Sequence, residues 1–375
     1  MIIGISILLV SLAAVPVQDA SASRATASTP GTASRFDQLS QAAARARDDD
    51  RADDAVQLYK QALALRPNWK EGLWNLGRLL YSKNQYAESR DVLRRFVAFD
   101  PEPGLAWALL GMSEFQTRDY SRSFDHLERA TAQGVGDRKD IAQSIFYLVA
   151  ALQTRFEQYD ESMVLLLAMV KSGQEPGPLT EPIGLAALRL PLLPSEIPAD
   201  RHQMIRTAGE ATLALEVQRT DEAERLFADL VVTYPNEPGV HFLYGAILLD
   251  LRPEDGIREL KKELEVSPSN VSARLRLAEE YLKEQRPDLA LPLAQDSIKL
   301  EPNRGPAHMM LGEVLVANGD LGAGIRELET ARNQSPQTLR IHWDLLRAYG
   351  SAGRSDDAKR EKEEIEKLSV PERGQ

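Results

Sequence analysis

The sequence predicts an all-α fold, a solenoid of about nine stacked helix-turn-helix units, and three observations predict it. Proline recurs at a fixed interval: Pro336, Pro302 and Pro268 are 34 residues apart, Pro235 lies 33 before Pro268, and Pro67 and Pro101 are again 34 apart. Between these prolines the apolar residues fall at i, i+3, i+4 and i+7 in two runs separated by a polar break, which is the pattern of two amphipathic helices. Small residues also recur at one place in the unit: Ala43, Gly77, Gly111, Ala150, Ala211, Gly245, Ala278 and Gly312. There the first helix must approach the second closely, and a side chain larger than Ala forces the two apart. A single pair cannot bury its own apolar stripe, so neighbours must stack.

Composition narrows the function. The formal net charge of −11 argues against broad nucleic-acid binding, which needs a basic footprint, and against a polybasic membrane-surface mode. There is no cysteine, which removes disulfides, thiolate metal sites and a cysteine nucleophile from consideration.

In chain order, residues 1–22 resemble a secretory signal peptide. Residues 2–17 are an uncharged apolar run, short for a membrane span, and Ala20-Ser21-Ala22 is a small-residue cleavage site. The expected location is therefore periplasmic or secreted, with an uncleaved membrane anchor at residues 2–17 as the alternative. Residues 23–34 are small and polar and read as a disordered linker. An N-terminal array of about four units spans 35–172, from Leu39, Ala42, Ala43 and Ala46 in its first helix to Leu166 and Met169 in its last. Its fourth unit has slipped in phase, which places a longer loop at residues 134–139. The DDDRADD break at residues 48–54 reads as a solvated turn with an Asp placed to cap the next helix, because the Gly and distal Glu of a calcium loop are missing.

Residues 173–199 hold Pro176, Pro178, Pro182, Pro191, Pro194 and Pro198, too many for a helix pair. They read as a Pro-rich insertion, either a functional surface loop or a passive linker packed along the stack, with a short helical piece at 185–190. A C-terminal array of about five units follows at 200–368, ending in a charged capping helix, and residues 369–375 are a tail. Unit-end prolines stop the second helices, and the Asn after Pro67, Pro235 and Pro302 stands ready to cap the next first helix. Pro292 falls inside a helix and predicts a kink.

Trp107-x2-Leu110-Gly111 with Tyr120 and Ala130, Leu76-Gly77 with Tyr86, and Leu311-Gly312 with Gly319 resemble the tetratricopeptide repeat. The resemblance covers about residues 35–368. It implies a right-handed superhelix whose first helices line a concave groove, and a non-enzymatic scaffold that binds a protein or peptide. On those helices Trp74 with Arg78, and Trp343 with Arg347, are i, i+4 pairs at the same place in the unit, so each Arg can lie along its indole. Met112 and Phe115, and Met309 and Glu313, occupy the corresponding face. The competing reading is that the tryptophans pack against neighbouring units. The Lys/Asn constellation with which some family members grip a C-terminal carboxylate does not stand at these positions.

Chemistry is sparse otherwise. His126, His202, His241, His308 and His342 lie in different units without a metalloprotease spacing, and Gly319, Gly322 and Gly324 lack the spacing of a phosphate loop. No cofactor or metal is expected. Two other classes remain: an accessory subunit of a membrane-bound envelope complex held by an uncleaved N-terminal helix, and an enzyme with a site in the Pro-rich insertion.

Overall fold

The computed structural model describes residues 30–369. The expected signal peptide and most of the linker and tail lie outside the described residues. Among the described residues the structure is helical throughout, and it divides into a unit at 30–175 and a unit at 176–369.

The N-terminal unit holds four helix pairs: α1 (Pro30–Asp48) with α2 (Ala52–Leu65), α3 (Lys70–Ser82) with α4 (Tyr86–Phe99), α5 (Gly104–Gln116) with α6 (Tyr120–Gln133), and α7 (Lys139–Arg155) with α8 (Tyr159–Lys171). Each second helix packs on the next first helix, and α5 also touches both α3 and α7. The first helices thus share one side of the stack. The helix α1 begins at Pro30, inside the stretch read as linker. A loop carrying Gly134 (φ 75°) and Gly136 (φ 61°) precedes α7, at the predicted slip of phase.

The C-terminal unit opens with the Pro-rich stretch, which differs from a surface loop. It makes the helix α9 (Thr180–Ala187), earlier than the expected 185–190, and a 3₁₀ turn on either side. Leu179, Ile183, Leu185, Leu188 and Leu193 are buried. Against α9 lies α10 (His202–Glu216), so closely that a Cβ on Gly184 would fall 1.9 Å from the Ile205 carbonyl oxygen, and one on Gly209 would fall 1.9 Å from that of Thr180. The prolines break the period but do not prevent burial, because each lies in a turn, a helix start or an extended segment where its missing N–H is not needed.

Four helices then follow as α11 (Thr220–Thr233), α12 (Val240–Leu251), α13 (Pro253–Val266) and α14 (Val271–Lys283). The unit closes with α15 (Pro287–Leu300), α16 (Gly305–Ala317), α17 (Leu321–Gln334), α18 (Leu339–Ser351) and α19 (Ser355–Ser369). The first helices α14, α16 and α18 touch one another in order.

The helices α2, α4, α11, α13, α15 and α17 each stop two residues before the recurring proline, as expected from the exclusion of the residue preceding proline from helical conformation. Within most pairs the turn holds one residue in the left-handed region: Asp50, Asn84, Arg118, Glu157, Gln218, Gln285, Gly319 and Gly353. Between α12 and α13 that residue is missing, since only Arg252 separates them and Pro253 opens α13. The single 33-residue spacing is therefore a shortened turn.

Helix capping departs from expectation. Asn68, Asn236 and Asn303 precede the N-cap positions, which are Trp69, Gly239 and Arg304, and the N-cap of α2 is Arg51 rather than an Asp. The caps that form are Asn270 on α14 and Asp320 on α17, each accepting a backbone N–H at 3.0 Å. The helix α15 runs from Pro287 to Leu300 through Pro292.

The close crossings expected at the small residues are present, in two versions. In the N-terminal unit Ser89, Ser123 and Ser162 of the second helices, all fully buried, donate to the carbonyls of Gly77, Gly111 and Ala150 at 2.8–2.9 Å. In the C-terminal unit that second-helix position is Ala223, Gly256, Ala290 or Gly324. There a Cβ on Gly312 would lie 2.6 Å from Leu328 Cγ and 3.0 Å from the Gly324 carbonyl oxygen.

The recurring prolines also supply acceptors. His241, His308 and His342 stand at one place in their first helices. Each Nδ1 meets a carboxylate of the partner helix (Glu259, Glu327, Glu361) at 2.6–2.7 Å. Each Nε2 meets the carbonyl oxygen of the preceding proline (Pro235, Pro302, Pro336) at 2.9–3.0 Å. Both ring nitrogens thus face an oxygen, one on the partner helix and one at the end of the preceding unit. In the N-terminal unit Trp107 fills this place and donates its indole N–H to the Pro101 carbonyl at 2.7 Å.

Candidate functional site

The first-helix side carries the candidate residues, four in each unit. In the N-terminal unit Trp74 is half-buried and packs on Phe96 of α4, with ring centroids 5.3 Å apart. The Arg78 guanidinium lies over the Trp74 ring at 5.4 Å from its centroid, as the i, i+4 spacing predicts. Met112 is buried, with its sulfur accepting the Tyr81 hydroxyl at 3.4 Å, so it belongs to the core rather than to an open contact face. Phe115 is half-buried against Tyr120.

Among the described residues no carboxylate pairs with Arg78. Its Nε is shut away from solvent with no acceptor. Burial, and the like charges of Arg47 at the end of α1 and Arg138 just before α7, hold it below the usual arginine range. Those two neighbours do have partners: Arg47 pairs with Asp48 at 2.8 Å, and Arg138 pairs with Asp140 through two hydrogen bonds of 2.8 and 3.0 Å.

In the C-terminal unit the equivalent residues are built differently. Trp343 is 51 % exposed and has no aromatic partner. Arg347 turns away from it and donates to Asp344. Met309 is half-buried against the cluster around Ile325 and Leu345. Glu313 joins a charge network running across three first helices. Arg340 of α18 grips Glu313 of α16 through two bonds of 2.9 and 3.0 Å, and reaches Glu279 of α14 at 2.9 Å. Burial works to raise Glu279, but Arg340 and Arg276 hold its carboxyl below the usual range. Glu313 goes the other way. Burial and the adjacent Asp344 carboxyl push it up to about 8 against the pull of Arg340. Asp344 is 5 % exposed, and its Oδ2 has no donor among the described residues. A proton on Glu313 provides a donor on the side of Asp344.

Arg47, Arg138, Glu279, Arg340 and Asp344 were not singled out by sequence. A signal for part of the network existed: Glu279, Glu313 and Arg347 are successive occupants of one repeat position, 34 residues apart. Among the described residues no group of three or more His, Asp or Glu side chains is placed to hold a metal ion. No described helix is long and apolar enough to cross a membrane.

Residues 46–112 and 281–348 match the family model described as tetratricopeptide repeat. Solved structures similar to this chain include a MamA double mutant (RS-1 ArsTM), 20 % identical over 44 % of this chain and 94 % of that one, with a TM-score of 0.40. MamA from Desulfovibrio magneticus RS-1 is 22 % identical over 44 % of this chain and 93 % of that one, with a TM-score of 0.38. YrrB, described as a TPR protein with an unusual peptide-binding site, is 16 % identical over 45 % of this chain and 89 % of that one, with a TM-score of 0.38. No curated protein matches the chain. Both stretches matched by the family model fall on the helix pairs described above, and those two stretches are tetratricopeptide repeats.

Proposed function

We propose that the protein is a non-enzymatic scaffold whose first helices present a groove to a protein or peptide partner. Tetratricopeptide repeat proteins are in general scaffolds rather than enzymes. The observation that carries the reading is Trp343. An indole 51 % exposed on the first helix of the last pair leaves a large apolar surface in water for a partner to cover. Exposed tryptophans beside arginines are the residue types on which binding energy concentrates. Affinity capture from the native cell envelope, with the wild-type chain beside a Trp74→Ala/Trp343→Ala variant, tests it. The expected result is a specific protein held by the wild type and lost from a variant that still melts cooperatively. Equal capture by both removes the groove from the proposal.

Export belongs to the same proposal and rests on residues 2–17 and Ala20-Ser21-Ala22. The scaffold then works in the periplasm or outside the cell. The apolar run also supports a second reading, an envelope-complex subunit anchored by the uncleaved segment. The intact mass of the purified protein separates them: a chain starting at Ser23 means cleavage, and retention of residues 1–22 means an anchor.

A further inference from the structure

One helix pair of the C-terminal unit, α14 with α15, departs from its neighbours at several aligned positions. Where α13 and α17 carry Leu260 and Leu328, buried over Gly245 and Gly312 of their first helices, α15 carries Ala294. Ala278 stands in place of the glycine, so one methyl is gained where a leucine side chain is cut back to its Cβ. The buried side chains of α15 are Ala290, Ala294 and Ser297 alone. Every other second helix described buries at least one leucine, isoleucine or aromatic residue. Apolar burial is what holds a helix to its stack, so α15 is held least.

The histidine tie is missing from the same pair. Arg274 and Leu293 occupy the places of His308 and Glu327. The Arg274 Nη1 is shut from solvent with no hydrogen-bond partner among the described residues. Pro292 weakens α15 from within. It lies past the first turn, where proline is tolerated, and has no N–H to give to the Asp288 carbonyl.

On the first-helix side a charge network crosses this point. Arg340 of α18 holds Glu313 of α16 and reaches beyond it to Glu279 of α14 at 2.9 Å. Glu279 precedes α15 in the chain and Arg340 follows it, so this contact joins the helices on either side of the weak one.

We propose that α15 is a hinge in the C-terminal unit, about which α16 to α19 move as a block against α10 to α14. The Arg340–Glu279 contact is the latch that restrains it on the first-helix side, whatever partner that side takes. Hinges are elements of low local stability between better-packed blocks, and this pair combines a missing leucine, a missing tie and an interrupted helix.

The test measures the element and the motion separately, in the whole chain. Backbone amide exchange reads α15. For the motion, the chain has no cysteine, so label sites are introduced without background. Nitroxides on Glu265→Cys in α13 and Asn333→Cys in α17, both exposed and at the same place two repeats apart, report the distance across α15 by pulsed electron spin resonance. The α15 amides are expected to exchange about tenfold faster than those of α13 and α17, and the distance to be broadly distributed. Pro292→Ala returns a backbone hydrogen bond without endangering the fold. It should slow α15 about tenfold and narrow the distribution. Glu279→Gln cuts the span across α15 while leaving Arg340 on Glu313, and should widen the distribution. An α15 as protected as α13 and α17, with one narrow distance in every variant, overturns the hinge. Fast exchange in α15 with an invariant narrow distance is local fraying and overturns it too. A broad distance that Glu279→Gln leaves unchanged overturns the latch.

Discussion

The two units build the same helix pair with different contacts. In residues 30–175 three of the four crossings of first and second helix are closed by a serine hydroxyl on a carbonyl, the first pair having Ala55 there, and Trp107 spans to the preceding proline with a neutral donor. In residues 176–369 glycine meets glycine at two of the crossings, and three buried histidines tie a carboxylate to a proline carbonyl. The Trp/Arg pairs follow the same divide. Arg78 keeps its charge unanswered, while Arg347 is neutralised by Asp344 and leaves its tryptophan bare. A repeat constrains the shape of each position and not its chemistry, so equivalent places carry different contacts in the two units.

The comparison is easiest to break at its charged contacts. Glu361 is 3 % exposed and accepts from both His342 and Arg332. Glu361→Ala takes the acceptor from the buried His342 Nδ1 and from Arg332 together and should cost about 3–5 kcal/mol. Trp107→Phe in the N-terminal unit deletes one neutral hydrogen bond and should cost only about 1 kcal/mol. Urea unfolding of both variants checks the contrast, and equal losses would mean that the histidine ties are no stronger than the indole one.

Exchanging the crossings sharpens it further. A serine at Gly324 imports the N-terminal arrangement into a gap that has no room for it, because the new Cβ would lie 2.6 Å from Val316 Cγ2 and 2.9 Å from the Gly312 carbonyl oxygen. Gly324→Ser should destabilise by about 1–3 kcal/mol through overpacking, despite the better helix propensity of serine. An unchanged or raised melting temperature would show that the glycine crossings are loose.

Much of this was legible because it is periodic. The prolines, the small residues and the paired apolar runs repeat, and each repetition strengthens the inference. The histidine ties repeat too: His308 and His342 are 34 apart, and His241 lies where the shortened turn puts it. Reading them as isolated histidines, in search of a metal or catalytic spacing, hid a structural role that aligning the units reveals. The Asn caps failed by local geometry, since those residues sit ahead of the N-cap. In the Pro-rich stretch the prolines hid where the helix starts: its apolar residues placed a helical piece at 185–190, and the helix runs Thr180–Ala187 because Pro182 falls in its first turn, where proline is tolerated. The arginine neighbourhoods were beyond reach. Which charges converge on Arg78 depends on how successive pairs rotate, and nothing in the spacing of Trp74–Arg78 distinguishes it from Trp343–Arg347.

A further test concerns Glu313 and its pH dependence. Its folded-state value is pushed from the ordinary 4.5 up to about 8 by burial and Asp344. A carboxyl raised in this way is protonated in the fold, so its contribution to stability is complete below about pH 4.5 and is lost as pH rises through about 8. Glu313→Gln keeps a neutral donor toward Asp344 and has no proton to lose. The variant should therefore melt close to wild type at acidic pH and a few degrees above it at about pH 8. Asp344→Asn relieves the same repulsion from the other side and should narrow the gap between Glu313→Gln and wild type. If the difference between Glu313→Gln and wild type is the same at both pH values, Glu313 is an ordinary carboxylate held by Arg340. The charge network across α14, α16 and α18 would then be a set of salt bridges with no proton held on Glu313.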